Sequence, residues 1–304
     1  MKCDYCENAV VYSRKYSGES LCSDCFSKSI IRKTAKTISK YKMINSGDIV
    51  GVAVSGGKDS LSLLHTLKQI SLNHNFTLRA ITIDEGIPGY RDEALDIVNS
   101  FCSKIGVEHS VFSYKNLFGT TLEQSLELRE KEKISSCSIC GILRRRAIDF
   151  GAKELGVDVV ATGHNMDDFI QTFIINLLSG DTNKIGWMDP ESTDKMARRI
   201  KPFCEINENE IVFYAFTNDI PFQSEQCPHM NEGIRTEIRD FLNSLEKNRA
   251  GIKNNMFKSI LKISSKLKDG TGKKWKICSK CGTECTSDTC SVCSTLLNLG
   301  IGQP

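Results

Sequence analysis

Short apolar runs alternate with amphipathic stretches through the middle of the chain. Four of these runs have the length of buried strands, at residues 49–54, 78–83, 107–112 and 157–161. Helical periodicity fills the intervals between them. Because apolar runs separated by helices form βαβ units, the pattern predicts an α/β fold with a parallel sheet and with ligands at the carboxyl ends of its strands.

Three further helices are predicted outside this region. Residues 26–41 place Phe26, Ile30 and Ile38 on one helical face, and residues 232–245 and 254–267 predict two helices near the end. Between Gly180 and residue 232 the pattern is irregular. The first helix also carries cations at i, i+4, where like charges repel, so we expect either a polyanion partner or an ordinary solvated face. These cations are Lys28, Arg32, Lys36 and Lys40.

A glycine-rich loop follows the first strand directly. Its sequence is Ser55-Gly56-Gly57-Lys58-Asp59-Ser60, and apolar helical spacing begins at Leu61. Several features of this loop favour binding of an anion. They are the backbone N–H groups that the glycines leave accessible, two hydroxyl groups, the Lys58 cation and the start of a helix. The loop lacks the spacing of a Walker A motif. It predicts a phosphate-binding loop, with a ligand-free turn as the alternative.

Two other strand ends should face the same crevice. The second strand ends in Asp84, where folds of this kind receive the ribose or adenine of a nucleotide. The fourth strand leads into Gly163-His164-Asn165-Met166-Asp167-Asp168. The two aspartates are candidate catalytic carboxylates or simple helix-start residues. We expect His164 to orient the backbone or nucleotide rather than bind metal.

Composition places the chain among soluble globular proteins. It has 304 residues, of which 40% are apolar and 25% charged, and this is enough for one sizeable core with small appendages. No run approaches the roughly 20 apolar residues of a membrane span, and no apolar leader follows Met1, so we expect a cytosolic protein. The formal net charge of +3 does not by itself indicate a nucleic-acid partner.

The chain contains fourteen cysteines, ten of them in Cys-x-x-Cys pairs. In a reducing compartment such pairs indicate metal binding or catalysis rather than disulfides. The four terminal pairs have the spacing of structural zinc sites, with reduced thiols as the alternative. Cys285 is a poorer competing ligand, and Cys102, Cys204 and Cys285 are expected to be buried. The predicted zinc ligands are Cys3, Cys6, Cys22 and Cys25 at one end, and Cys278, Cys281, Cys290 and Cys293 at the other.

An aromatic side chain among lysines precedes the second zinc knuckle. Trp275 lies between Lys273, Lys274 and Lys276. An indole ring can stack on a nucleic-acid base while lysines contact phosphates. Together with the cationic helix, this segment is a plausible RNA-binding surface.

The fifth cysteine pair lies in the middle of the chain. Cys137 and Cys140 precede a helix predicted to begin near Gly141, and three arginines follow at 144–146. A lone pair is either a redox pair or half of a metal site. The arginines suit catalysis, phosphate contacts or a solvated helix face. Cys227, in the dipeptide Cys227-Pro228, could join the pair only through the fold.

The glycine-rich loop resembles the PP-loop of ATP pyrophosphatases, which release pyrophosphate and leave AMP on the substrate. Together with Cys137-Ser138-Ile139-Cys140-Gly141, residues 163–168 and Cys227-Pro228, it makes nearly the whole chain similar to the tRNA 2-thiouridine synthetases of the TtcA/TtuA superfamily. Cysteine pairs at both termini favour the TtuA-like branch, which includes archaeal and eukaryotic cytosolic wobble-uridine enzymes.

This resemblance implies specific roles. Cys137, Cys140 and Cys227 would bind a 4Fe-4S cluster and leave one iron open for sulfide. ATP would adenylate the uridine 2-carbonyl oxygen, with Asp59 on the magnesium side. Asp168, or Asp167 as the second choice, would be the catalytic aspartate, and Arg144 would stabilise developing negative charge. A homodimer is also implied. The nucleotide would contact Ser55, Gly56, Gly57, Lys58, Asp59, Ser60, Asp84, Gly163 and His164.

We therefore expect a tRNA uridine 2-sulfurtransferase, with the wobble position favoured over the T-loop. The expected division is an N-terminal knuckle at 1–27, a basic helix at 28–47, a PP-loop domain at 48–270 and a C-terminal knuckle at 271–304. The sulfur donor stays open between sulfide, a persulfide and a ubiquitin-like thiocarboxylate. The alternatives are a persulfide on Cys140 or Cys227 without iron, an ammonia-using PP-loop ligase, and a non-catalytic zinc-ribbon protein that binds RNA.

Overall fold

The computed structural model describes residues 2–130, 134–192, 197–229, 234–268 and 275–302. The strands are β1 (Tyr12–Arg14), β2 (Glu19–Leu21), β3 (Ile49–Ala53), β4 (Thr77–Asp84), β5 (Glu108–Ser113), β6 (Val159–Thr162), β7 (Glu191–Ser192), β8 (Arg198–Ile200), β9 (Lys276–Ile277) and β10 (Glu284–Cys285). The helices are α1 (Ser23–Lys40), α2 (Lys58–Ser71), α3 (Tyr90–Ile105), α4 (Tyr114–Phe118), α5 (Leu122–Glu127), α6 (Ser136–Glu154), α7 (Met166–Leu178), α8 (Thr182–Gly186), α9 (Glu208–Thr217), α10 (Arg235–Asn248), α11 (Ile252–Lys268) and α12 (Ser291–Asn298).

The central sheet has the strand order β5-β4-β3-β6-β8-β7. All pairs from β5 to β8 are parallel, and only β7 runs antiparallel, at the edge. The predicted α/β fold with a parallel sheet is thus confirmed, and its four predicted strands are β3 to β6. The two terminal helices correspond to α10 and α11; the predicted positions 232 and 233 lie outside the described residues.

The segment after Gly180 is more regular than its sequence indicates. It contains β8 and α9, which apolar periodicity does not predict. The three residues of β8 begin with Arg198 and Arg199, so no apolar run marks the strand. Arg199 instead pairs with Asp149 of α6. A strand this short is specified by its place in the sheet rather than by its own sequence.

Helices cover both faces of the sheet. Val50 and Val52 of β3 are fully buried, as are Leu61 and Leu64 of α2, which follows at once. Each such side chain stabilises the fold by about 1.5–3 kcal/mol. This packing fixes the position of the loop between β3 and α2.

The N-terminal knuckle is continuous with the main core. The rings of Tyr12 and Phe26 lie 4.5 Å apart, and those of Phe26 and Phe213 lie 4.8 Å apart, joining β1, α1 and α9. The expected boundary at 27/28 falls inside α1. The four cations spaced at i, i+4 along α1, from Lys28 to Lys40, are all exposed. Lys40 forms an ion pair with Glu205 at 2.5 Å.

The C-terminal knuckle packs on α6. Arg146 donates to Thr283 Oγ1 at 2.5 Å and to Cys290 Sγ at 3.4 Å, and Leu296 of α12 is buried against the same core. The expected boundary at 270/271 and the lysines Lys273 and Lys274 lie outside the described residues. Among the described helices, none is long and apolar enough to cross a membrane.

Candidate active site

The glycine-rich loop connects β3 to the start of α2. Gly56 has φ +88°, and a Cβ at this position would lie 2.8 Å from the Cβ of Ala94, so only glycine fits. Ser60 closes the loop, because its Oγ accepts from Ser55 N at 3.1 Å and donates to Gly57 O at 3.0 Å. The first N–H groups of α2 therefore open onto a rigid, anion-binding turn.

Lys58 lies between two carboxylates at this turn. Its Nζ is 2.9 Å from Asp59 Oδ2 and 2.8 Å from Glu208 Oε1. Asp59 also accepts a hydrogen bond from Asn165 Nδ2 at 3.1 Å. Burial raises the pKa of Asp59, with Lys58 opposing the shift. Sequence patterns did not single out Glu208, because it begins the unpredicted helix α9.

The loop after β6 lies directly against the start of α2. A Cβ on Gly163 would be 3.0 Å from Ser60 N, so this approach requires glycine. The structure thus places residues 163–168 beside the glycine-rich loop. Asp84, at the end of β4, accepts from Gly86 N at 2.9 Å and shapes the turn that follows.

The two neighbouring aspartates have different surroundings. Asp167 is buried, forms an ion pair with Lys253 and accepts from Glu208 N at 2.8 Å. Asp168 is partly exposed, accepts from Asn165 N at 3.1 Å and lies 4.0 Å from Arg235 Nη1. Burial raises the pKa of Asp168. Asp167 is therefore engaged in holding α7, whereas Asp168 is available to a ligand.

His164 faces the same crevice. Its Nδ1 lies 2.8 Å from Thr162 Oγ1. The side chain of His164 is exposed to solvent, yet desolvation by the surrounding protein lowers its pKa, and the charges of Lys201, Arg235, Arg145 and Arg144 add to this shift. The imidazole is thus neutral near pH 7, and these four cations bring positive charge to its side of the crevice.

The central cysteine pair lies on α6 rather than before it. The helix begins at Ser136, with Ser135 as its N-cap accepting from Ser138 N, so the predicted start near Gly141 is wrong. The serine run before the pair supplies the cap that the prediction overlooked. Cys137 and Cys140 therefore occupy the first turns of α6. Cys137 is exposed, and Cys140 is buried.

The distant third cysteine joins this pair. Cys137 Sγ lies 3.9 Å from His229 O, and His229 Nε2 is 2.7 Å from Glu123 Oε1, which holds the loop carrying Cys227 against α5 and α6. Burial raises the pKa of Cys227, and the charge of Cys137 contributes. Burial likewise raises the pKa of Cys140, with Cys227 among the contributing charges.

A chain of charged groups links these cysteines to the glycine-rich loop. Arg144 Nη2 is 3.1 Å from Cys140 Sγ, and its Nε is 2.9 Å from Glu85 Oε1. The other oxygen of Glu85 is 2.8 Å from Arg91 Nε. Arg91 Nη1 in turn donates to Ser55 O at 2.8 Å. No sequence motif singles out Glu85 or Arg91, and Glu85 is distinguished only as the residue after Asp84.

The terminal cysteines form two compact groups. In each, the four Sγ atoms lie within 4.8 Å of one another, as one tetrahedral ion requires. Cys285 belongs to neither group, and its Sγ faces Ser287 O at 2.9 Å. Cys102 and Cys204 are buried as predicted, but the predicted burial of Cys285 is wrong, because this residue is partly exposed at the end of β10. Within the part of the chain that the structure describes, the central trio is not such a compact group. Wider spacing suits a cluster, in which each thiolate binds a separate iron.

The fold and site together define an α/β protein that binds a phosphorylated ligand and presents thiols beside it. The profile of the PP-loop domain family matches residues 27–246. Cytoplasmic tRNA 2-thiolation protein 1 from Drosophila erecta and from Drosophila melanogaster are each 34% identical over 305 residues, covering 98% of this chain and 88% of theirs.

A solved structure is also similar over the full length. It is the U34-tRNA thiolase NcsA from Methanococcus maripaludis with its [4Fe-4S] cluster, at 32% identity and a TM-score of 0.85, covering 100% of this chain and 98% of that one. The chain therefore belongs to the PP-loop family and, within it, to the family of cytoplasmic tRNA 2-thiolation protein 1. The resemblance predicted from the motifs is confirmed.

Proposed function

We propose that this protein is an ATP-dependent tRNA uridine 2-sulfurtransferase. The observation that carries the proposal is the convergence of Cys137, Cys140 and Cys227 at one end of a charged chain whose other end is the glycine-rich loop. A nucleotide and a sulfur carrier would thus meet in one crevice. The names of the relatives, which specify tRNA 2-thiolation, and of the similar thiolase support this activity.

The glycine-rich loop would hold the phosphates of ATP. The N–H groups at Gly56 and Gly57 and the hydroxyls of Ser55 and Ser60 would face the phosphate oxygens. Lys58 would neutralise phosphate charge. Asp59 would lie on the side of the magnesium ion, because carboxylates and phosphates share that ion. Gly163, His164 and Asp84 would contact the nucleoside.

The three central cysteines fit a 4Fe-4S cluster. Cys137 and Cys140 lie in the first turns of α6, Cys227 lies on a loop beside them, and Arg144 next to Cys140 would offset part of the negative charge of their thiolates. When bound, the cluster supplies an iron without a protein ligand, to which an exogenous sulfide can bind. The solved relative carries such a cluster.

The reaction proposed has two steps. First, the uridine O2 forms a bond to the α-phosphorus of ATP, and pyrophosphate leaves. Then sulfur forms a bond to C2, and the C2–O bond breaks as AMP departs. Arg144 would stabilise charge on the reacting atoms, and Asp168 would accept the N3 proton of the uridine.

The remaining assignments follow from the same relatives. We infer zinc in both terminal cysteine groups, tRNA contact through the α1 cations, a cytoplasmic location and a homodimer. The wobble uridine is favoured because the similar thiolase is named for U34. The sulfur donor stays open between sulfide, a persulfide and a thiocarboxylate carrier.

Pyrophosphate release tests the ATP-dependent step. With ATP and tRNA present, we expect the protein to release pyrophosphate, and Lys58→Ala to abolish this release. Lys68→Ala is the matched control, since Lys68 lies on the same helix and, within the described residues, its Nζ hydrogen-bonds only to Gly106 O, at 3.3 Å. Release that does not need tRNA, or that survives loss of Lys58, would exclude the adenylation step.

Iron content separates the cluster from the persulfide alternative. Anaerobically prepared protein should hold about four irons per chain and an absorption band that air removes. Cys137→Ser should lose both, and Cys285→Ser should keep both. Full-rate thiolation by iron-free protein would establish the persulfide chemistry instead.

A further inference from the structure

A pocket lies between α6, the end of α8, β8 and the C-terminal knuckle. It has a volume of about 330 Å³, near the lower end for small-ligand pockets. Both tryptophans of the chain, Trp187 and Trp275, line it. The sequence pattern assigned Trp275 to an RNA-binding surface, and the structure adds Trp187 beside it; the sulfur-transfer steps proposed above use neither ring.

Three arginines line the pocket together with the two indole rings. Arg145, on α6, is exposed, and its side chain makes no hydrogen bond or ion pair within the residues that the structure describes. Arg146 is held by Thr283 and Cys290, and Arg199 by Asp149, so both guanidinium groups are fixed in the wall. The acidic lining consists of Asp149, paired in this way, and Glu284. Arg145 is thus the cation that remains available to an incoming anion.

The pocket lies along α6, the helix that also carries Cys137 and Cys140. Arg144 and Arg145 are neighbours on α6, and Arg144 reaches Cys140. Arg145 also contributes, with Lys201 and Arg235, to the positive charge that lowers the pKa of His164. Positive side chains thus extend along α6 from the neighbourhood of Cys140 to the wall of the pocket, which suits a polyanion that contacts both places.

We propose that this pocket receives an unpaired base of the substrate RNA next to the reacting uridine. The base would stack on Trp187 or Trp275, and an adjoining phosphate would pair with Arg145. Flat indole faces beside guanidinium groups match the chemistry of single-stranded nucleic acid. The inference rests on the proposed function, because it takes the uridine in the crevice to be part of a tRNA.

The tryptophan content makes this pocket directly observable. Since both tryptophans of the chain line it, all indole fluorescence of the protein originates there. The probe is an unmodified anticodon stem-loop RNA with a long-wavelength 3′ label, so that anisotropy reports binding in the same titration. We expect indole emission to fall with the same midpoint as the anisotropy change. Trp187→Phe and Trp275→Phe would show which ring contributes.

Affinity measurements complement the fluorescence. Replacing a stacking ring by alanine should weaken stem-loop binding roughly tenfold, and phenylalanine should largely restore it. Phe241→Ala is the matched control, because Phe241 is an exposed aromatic residue of α10 outside the pocket, and it should leave affinity unchanged.

Three results would overturn the inference. If RNA binds without changing indole emission, the proposed function stands but the pocket is not the RNA-binding site. The same conclusion follows if indole emission responds to a protein sulfur carrier and not to RNA. Equal quenching by heparin, which has no bases, would reduce the pocket to a charged patch. Absence of RNA binding altogether would remove the proposed function along with the pocket.

Discussion

Arg144 Nε lies 2.9 Å from Glu85 Oε1, while the same guanidinium group reaches Cys140 Sγ at 3.1 Å. The side chain of Glu85 is only 3% exposed, whereas that of Arg144 is 46% exposed. A buried carboxylate thus fixes a half-exposed cation beside a buried thiol. Through Arg91, the same carboxylate is connected to the glycine-rich loop.

Glu85→Gln should impair sulfur transfer more than pyrophosphate release. The amide keeps the shape of the side chain but loses the charge that holds Arg144. Groups that orient a reactive site through another residue typically contribute 10- to 100-fold, so we expect a loss of about that size in thiolation rate. Single-turnover assays that follow pyrophosphate and thiouridine separately would measure it.

Glu108→Gln is the control for this change, since Glu108 is an exposed glutamate of β5 whose one ion-pair partner in the described part of the chain is Arg79. Its rates should match those of the unmodified protein. Equal losses in both steps for Glu85→Gln would mean that Glu85 supports the fold or the loop rather than Arg144.

The two adjacent loop glycines should differ in their response to alanine. Gly56 has φ +88° and no room for a Cβ, whereas the nearest atom to a Cβ on Gly57 is Ser55 Oγ at 3.6 Å. Gly56→Ala should therefore lower the free energy of unfolding by about 1–3 kcal/mol, and Gly57→Ala by about 0.5 kcal/mol or less. Urea unfolding would measure both values. Similar losses at the two positions would contradict the described loop conformation.

The terminal cysteine groups should bind zinc independently of each other. Cys278→Ser should remove one equivalent of zinc and destabilise the C-terminal knuckle, because small knuckles depend on their metal. Cys285→Ser should leave the zinc content unchanged, since its thiol lies outside the compact group. Zinc analysis by mass spectrometry decides this, and loss of zinc from the Cys285 variant would show that the ligand set is wrong.

His164 should make the protein less stable in mild acid. Desolvation and the nearby cations hold its folded pKa below the ordinary histidine value of 6.5, and its exposure to solvent keeps the effect small. Below pH 6.5 the unfolded chain binds a proton more readily than the folded protein does, so stability falls as the pH drops through the range beneath 6.5. His164→Gln should flatten this part of the curve, measured by urea midpoints at several pH values.

The control for the titration is His74→Gln, because His74 is exposed beyond the end of α2. It should leave the acid-induced slope of the unmodified protein intact. A slope that is the same in the His164 variant would assign the pH dependence to other groups.

The sequence predicted the fold well where local pattern and tertiary structure agree. Strands β3 to β6 carry apolar runs, and the residue types of the glycine-rich loop indicate its conformation directly. Strand β8 is not predicted by the sequence pattern, because two of its three residues are arginines. One of them, Arg199, pairs with Asp149, which is distant in sequence. The role of Glu85 is not predicted either, since only the fold shows that a carboxylate after Asp84 lies between two arginines.

The choice between Asp167 and Asp168 could also be made only in three dimensions. Both lie in the first turn of α7, where either carboxylate could favour the start of the helix. Burial against Lys253 sets Asp167 apart, and this contact joins residues 86 positions apart. Local sequence patterns cannot predict a contact between residues so far apart in the chain.

The central claim is that this protein replaces the 2-oxygen of a tRNA uridine with sulfur. The most direct measurement is nucleoside mass spectrometry of unmodified tRNA incubated anaerobically with the protein, ATP and sulfide. We predict 2-thiouridine at the wobble position, absent when ATP is omitted or Cys227 is replaced by serine. A tRNA that gains no sulfur although the protein holds its iron and releases pyrophosphate would contradict the account.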